Sequence, residues 1–260
     1  MIYPKHILIT GASSGIGAAL AVYYSSRGAH LYLNGRNEER LKSVAKKCRN
    51  QGAEVTFSLV NVTERHAMAE WIAKSAENEG LDLVIANAGI SGGTGGRAEG
   101  EPVAEARAIF DVNVNGVFNT VEPSLKVMSG QNDGGQIAIV SSLAGFRGWP
   151  SSPAYSASKG AVRFYGEALR GALKNTKIKV NVICPGFVTS RITDQNDFPM
   201  PFKMKASKAA KIIASGLEKN KGRICFPWPM YLISWFIGIL PDVLAQKVLA
   251  KAPHKSAIIK

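Results

Sequence analysis

Seven short runs rich in apolar and β-branched residues recur along the chain, each followed by a longer stretch of different periodicity. That alternation restricts the fold more than any other feature. The runs are residues 7–10, 30–34, 55–60, 83–86, 136–141, 179–184 and 222–226, and residues 18–27, 38–50, 64–78, 104–128, 154–174 and 207–219 carry the helical period between them. A strand, a helix and a further strand in one sheet connect by a right-handed crossover, so repetition of the unit builds a parallel sheet covered on both faces. The expectation is a doubly wound α/β domain of seven parallel strands spanning residues 1–260, with no internal repeat and no linker. A composition of 46% hydrophobic and 20% charged residues supplies a core and excludes disordered or collagen-like chains.

Folds of this kind bind ligands at the carboxyl ends of their strands. The first such end carries Thr10-Gly11-Ala12-Ser13-Ser14-Gly15-Ile16-Gly17 and leads into a helix. Glycines let the backbone turn sharply and approach a pyrophosphate, and the unpaired N–H groups of the helix start supply donors. The second strand ends in Asn34-Gly35-Arg36-Asn37, where a dinucleotide fold usually places a carboxylate against the ribose 2′-hydroxyl. A small Gly35 and the guanidinium of Arg36 suit a 2′-phosphate instead, which favours NADP(H) over NAD(H). The glycine-rich stretch 89–96 is expected to form a mobile loop at the same edge of the sheet.

Tyr155-Ser156-Ala157-Ser158-Lys159 begins a long helical pattern, and residues four apart share one helix face. A phenol of pKa about 10 becomes useful for proton transfer near neutrality when an ammonium favours its anion. Ser141-Ser142 ends the fifth strand, and Asn113 stands in Asp111-Val112-Asn113-Val114-Asn115-Gly116, within the fourth helical stretch.

Taken in order, Thr10-Gly11-x-x-x-Gly15-Ile16-Gly17, Asn87-Ala88-Gly89, Asn113, Ser142, Tyr155-x-x-x-Lys159 and Pro185-Gly186 resemble the short-chain dehydrogenase/reductases over residues 5 to about 190. The resemblance implies a Rossmann-type domain and an NAD(P)-dependent oxidoreductase interconverting ketones and secondary alcohols. By that likeness Ser142 orients and polarises the substrate carbonyl, and Tyr155 donates the proton. Lys159 holds the nicotinamide ribose and lowers the tyrosine pKa, while Asn113 fixes a water that continues the proton path. Gly11, Ser13, Ser14, Gly15, Ile16 and Gly17 would cradle the pyrophosphate, and Asn87, Ala88 and Gly89 would border the adenosine. Pro185, Gly186, Val188 and Thr189 would meet the nicotinamide and phosphates. The chain departs from the family at Asn61-Val62, where Asp-Val is usual; Asn61 keeps a carbonyl acceptor for the adenine amino group and loses the charge. Residues 190–206 would form the substrate lid, and Phe198-Pro199-Met200-Pro201-Phe202 gives it a hydrophobic character. The family commonly forms homodimers or homotetramers through the helices carried here by residues 104–128 and 154–174. The rival expectation is a catalytically silent dinucleotide-binding sensor or scaffold on the same fold.

The net charge of +13 is unevenly spread: from residue 200 onward eleven Lys or Arg face two acidic residues, Glu218 and Asp242. These lysines flank an apolar block, residues 224–240, rather than forming a nucleic-acid-binding helix. Pro227 and Pro229 break the block, and the eleven residues from Met230 to Leu240 cover about half a bilayer core, so it cannot cross as one straight helix. The extension 227–260 is expected either to lie on an anionic membrane surface or to pack in a subunit interface. Cys48, Cys184 and Cys225 have no disulfide or zinc spacing, and His6, His30, His66 and His254 have none suited to a metal. The apolar run at residues 7–10 is too short for a signal-peptide core. These features point to a cytoplasmic protein, with peripheral membrane attachment through the extension.

Overall fold

The computed structural model describes residues 3–97, 100–250 and 255–257. Its centre is a parallel sheet of β1 (His6–Ile9), β2 (His30–Asn34), β3 (Glu54–Ser58), β4 (Leu83–Ala86), β5 (Gly135–Val140), β6 (Ile178–Pro185) and β7 (Arg223–Phe226). The strand order is β3-β2-β1-β4-β5-β6-β7, so the chain reverses direction across the sheet between β1 and β4 and opens a crevice at their carboxyl ends. All seven expected strands form within two residues of their sequence boundaries.

The strands are apolar throughout because both faces are covered. Ile7 and Ile9 of β1 and Leu83 and Ile85 of β4 point into one core, and Leu8, Val84 and Ala86 point into the other. The first core is closed by α1 (Gly15–Ser25), α2 (Glu38–Arg49) and α8 (Ala206–Glu218) through Leu20, Leu41 and Ile213. The second is closed by α3 (Arg65–Ala76), α5 (Gly116–Ser129) and α6 (Pro153–Ala172) through Met68, Ile72, Val121 and Val162. Each fully buried side chain of this size contributes roughly 1.5–3 kcal/mol. Local signals set the helix limits: the Asn37 side chain accepts from the Arg40 N–H at 2.9 Å, Glu38 and Glu39 lie in the first turn of α2, and Lys46, Lys47 and Arg49 lie in its last.

The expected helix over residues 104–128 is interrupted. It consists of α4 (Val103–Phe110), a π-helical turn (Asp111–Asn115) and α5. The wide turn re-aims one residue inward, and that residue is the fully buried Asn113. The structure adds a short α7 (Arg191–Asp194) and, after β7, two helices, α9 (Trp228–Ile239) and α10 (Asp242–Leu249). Among the described residues no helix is long and apolar enough to cross a membrane.

Candidate functional site

The glycine turn after β1 is held open by steric necessity at two points. Gly11 has φ +66°, and a Cβ there would lie 2.8 Å from Ala88 Cα. Gly17, the third residue of α1, would bring a Cβ within 2.5 Å of the Gly11 carbonyl oxygen and 2.6 Å of Asn87 Nδ2. The turn is fastened to β4: Thr10 Oγ1 accepts from the N–H groups of Asn87 (3.0 Å) and Ala88 (3.1 Å), and Asn87 Nδ2 donates to the carbonyls of Thr10 (2.8 Å) and Gly11 (3.2 Å). Asn87 is therefore a structural clamp between the two strands that flank the crevice. Ser13, Ser14 and Ile16 complete a cradle whose Ser14 side chain makes no capping hydrogen bond. Side-chain-free walls around an N-terminal helix turn fit a dinucleotide pyrophosphate.

On the adenosine side, the Ala12 N–H donates to the Asn34 carbonyl at 2.7 Å, bringing the glycine turn against the end of β2. A Cβ on Gly35 would stand 3.1 Å from Ser13 Cβ, so the small residue allows this approach. Arg36 is exposed and has no ion pair or hydrogen bond among the described residues. Asn61 Oδ1 accepts from the Thr63 N–H at 3.3 Å, and Val62 is buried against Gly116. The pair turns the chain from β3 into α3 and walls the crevice.

The four residues of the expected catalytic set converge at the carboxyl ends of β4 and β5. Ser142 follows β5, is buried, accepts from the Ala144 N–H at 3.1 Å, donates to the Pro185 carbonyl at 3.5 Å and stands beside the Tyr155 phenol, whose anion it favours. Its neighbour Ser141 is spent on structure, donating to the Lys159 carbonyl at 2.7 Å and tying α6 to the sheet. Pro153 starts α6 with its ring where no N–H is needed, and the first turns place Tyr155 and Lys159 on the sheet-facing side. Lys159 Nζ donates to the Val140 carbonyl at 2.9 Å and lies 6.0 Å from the Tyr155 ring centroid. Burial pushes the Tyr155 phenol above its ordinary value, opposed by Ser142, and brings the Lys159 ammonium down to about 8. Asn113 Oδ1 accepts from the Ile90 N–H at 2.8 Å, and its Nδ2 donates to the Ile90 carbonyl (2.9 Å) and Ser158 Oγ (3.0 Å). Asn113 thus locks the loop after β4 to α6, and Gly89 passes between Asn113 and Lys159 with Cβ space of only 3.1 and 3.3 Å to their polar atoms.

The far wall comes from β6 and the segment behind it. The Gly186 N–H donates to the Phe226 carbonyl at 2.8 Å, and a Cβ on Gly186 would lie 3.2 Å from Met230 Sδ, so α9 abuts the site. Val188 pairs with Met204, whose carbonyl accepts from the Thr189 N–H at 2.9 Å. Ser190 and Thr193 cap one another at α7, and Ser190 packs over Gly15, whose Cβ would meet it at 2.9 Å. Segment 190–206 therefore starts on the glycine turn, and Phe198 lies edge-on to Phe187 at 6.0 Å.

Sequence reasoning missed Ser91, Glu101, Glu105 and Lys255, which stand beside Tyr155 or its loop. Glu101 and Glu105 are four residues apart, a faint signal; the lysine of the tail carries none in its neighbours.

The model for short chain dehydrogenases matches residues 5–198. An uncharacterized oxidoreductase of Myxococcus xanthus is 38% identical over 91% of this chain and 93% of its own length. A protein of Mediterraneibacter gnavus named 3beta-hydroxysteroid dehydrogenase is 35% identical over 82% of this chain and 75% of its own. The crystal structure of a short chain dehydrogenase/reductase from Burkholderia phymatum in complex with NAD superimposes with a TM-score of 0.81, at 27% identity, over 89% of this chain and 91% of that one.

Proposed function

The chain belongs to the short-chain dehydrogenase/reductase family of NAD(P)-dependent oxidoreductases, and from that premise we propose that it interconverts a lipophilic ketone and its secondary alcohol with NADP(H). The observation that carries the proposal is the meeting of Ser142, Tyr155 and Lys159 beside the glycine cradle. The dinucleotide, when bound, supplies or takes up the hydride at the carbonyl carbon. Ser142 hydrogen-bonds the substrate oxygen and orients it toward Tyr155. The phenol gives its proton to that oxygen in reduction, and its anion takes the hydroxyl proton in oxidation. Lys159 holds the nicotinamide ribose and favours the phenolate, and Asn113, through the wall it locks, steadies the water that relays the proton outward.

Arg36 supports the choice of NADP(H), since an unengaged guanidinium beside Gly35 suits a phosphate fork and no carboxylate stands there to reject it. The lid over 190–206, Met230 against Gly186, and the similarity to a hydroxysteroid dehydrogenase support a hydrophobic substrate. The test is a panel of lipophilic ketones and secondary alcohols followed by nicotinamide absorbance, with both cofactors, on the parent and Arg36→Ala. Turnover with preference for NADPH is expected, and Arg36→Ala should weaken NADPH by about tenfold, near 1.4 kcal/mol, and NADH hardly at all. Tight NADPH binding with no turnover across the panel would return the sensor or scaffold reading, and equal affinity for both cofactors in the parent would remove the NADP(H) assignment.

We infer that α9 and α10 lie on a membrane surface. Trp228, Leu232, Ile233, Trp235, Phe236 and Ile239 of α9 are exposed, and so are Val243, Leu244, Lys247 and Val248 of α10. So many exposed large apolar residues on two short helices suit a membrane interface, and the basic excess of the sequence after residue 200 suits anionic lipid, in a cytoplasmic, peripherally attached enzyme. Homodimers or homotetramers would form elsewhere, over Val103, Phe110 and Phe164 of the long helices, which are also exposed. Binding to anionic vesicles at low salt, weakened by high salt and abolished in Trp235→Glu, is the expected result of co-sedimentation. A parent protein left in the supernatant, with Trp235→Glu changing the oligomer in light scattering, would assign the patch to a subunit interface.

A further inference from the structure

Residues 255–257, which follow α10 closely in the chain, lie against the mouth of the site. The Lys255 carbonyl accepts from the Gly95 N–H at 2.9 Å, and Gly93 runs so close that a Cβ there would lie 2.5 Å from that carbonyl oxygen and 2.6 Å from that of Ser151. The Thr94 N–H donates to the same Ser151 carbonyl at 3.0 Å. The loop after β4 is thereby layered between the tail and the start of α6. The backbone contact carries the Lys255 side chain inward, where its ammonium hydrogen-bonds Ser91 Oγ and stands 4.8 Å from the Tyr155 ring centroid, nearer than Lys159 at 6.0 Å.

We propose that Lys255 is a positioning residue of the reaction: delivered by the C-terminal segment, its ammonium stabilises the Tyr155 phenolate as a second cation beside Lys159. The proposal rests on the ketone–alcohol function proposed above. Among the described residues the groups facing this pair are Ser142 from the end of β5, Lys159 from α6, Ser91 from the loop after β4, Glu101 just before α4 and Glu105 in its first turn. The carboxylates are themselves fixed, Glu101 by the Ala154 N–H at 2.6 Å and Glu105 by the Gly93 N–H at 3.1 Å. They attract the Lys255 ammonium and oppose the burial that brings it down to about 8. Burial also holds the Tyr155 phenol above its ordinary value, so each charge alone is costly here. A phenolate and an ammonium facing one another offset that cost.

The sign follows from the charge. Removing a cation near Tyr155 raises the pKa of the phenol, so Lys255→Met should move the ultraviolet tyrosinate titration upward by about one pH unit, read against a Tyr155→Phe background. The rising limb of kcat/KM for alcohol oxidation, which needs the phenolate, should move upward with it. Lys255→Arg, which keeps the charge, should return both curves toward the parent, and a chain ended after Ala250 should behave as Lys255→Met. A loss of activity in Lys255→Met with both curves unmoved would overturn the proposal, since the lysine would then merely pack the tail. A gain of activity in that variant would overturn it too, the tail being an obstruction. The titration needs no substrate: a shifted tyrosinate curve in a protein that turns over no ketone or alcohol upholds the Lys255 coupling and sinks the proposed reaction, whereas turnover with unmoved curves does the reverse.

Discussion

Tyr155→Phe should reduce turnover by about 10²–10⁴-fold or more while leaving the affinity for NADPH nearly unchanged. The substitution removes one oxygen, the atom whose charge Ser142 favours and that would exchange a proton with the substrate. The ring keeps its packing, so α6 and the Lys159 contacts to Val140 and Ser141 remain. What disappears is the proton donor in reduction and the proton acceptor in oxidation. Single-turnover measurements with saturating NADPH separate the chemical step from binding. Undiminished turnover in this variant, on any ketone that the parent reduces, would remove Tyr155 from the chemistry.

The second large effect is structural in origin. Gly17→Ala should lower the affinity for NADPH by at least about tenfold and destabilise the fold by about 1–3 kcal/mol. The new Cβ would meet the Gly11 carbonyl oxygen at 2.5 Å and Asn87 Nδ2 at 2.6 Å, and neither can retreat cheaply. Gly11 is committed to φ +66° and accepts from Asn87, which also bridges to Thr10. Relief of the clash must therefore open the turn that would cradle the pyrophosphate. Gly171→Ala is the control, because a Cβ there meets nothing within 4 Å and alanine favours a helix. Thermal unfolding and fluorescence titration with NADPH read the two effects separately. Equal melting temperature and Kd in Gly17→Ala and the parent would mean that the turn tolerates a side chain.

Much of this protein could be read from its residues alone. A strand buried on both faces must be apolar along its length, so β1, β4 and β5 announce themselves as continuous apolar runs, and a parallel sheet follows from the helices between them. Glycines demanded by close backbone approach and a tyrosine and lysine one helical turn apart are likewise local patterns, so the candidate cradle and the Tyr155–Lys159 pair were visible before any coordinates. Other features depended on contacts between distant segments. Periodicity alone predicted one helix through residue 113, and only packing against Ile90 and Ser158 shows why a π turn drives Asn113 inward. Adjacent serines are equivalent in sequence, yet one ties α6 to the sheet and the other faces the phenol. Pro227 and Pro229 mark the break between β7 and α9, as the sequence implied, but only the structure shows that α9 leaves Trp228, Leu232 and Trp235 exposed. Lys255 reaches Ser91 across 164 residues of chain. Local propensity and hydrophobic period depend on neighbours a few residues away, and they determined the fold; the partner of a buried polar side chain depends on which distant segments pack together, and that was decided by the tertiary structure.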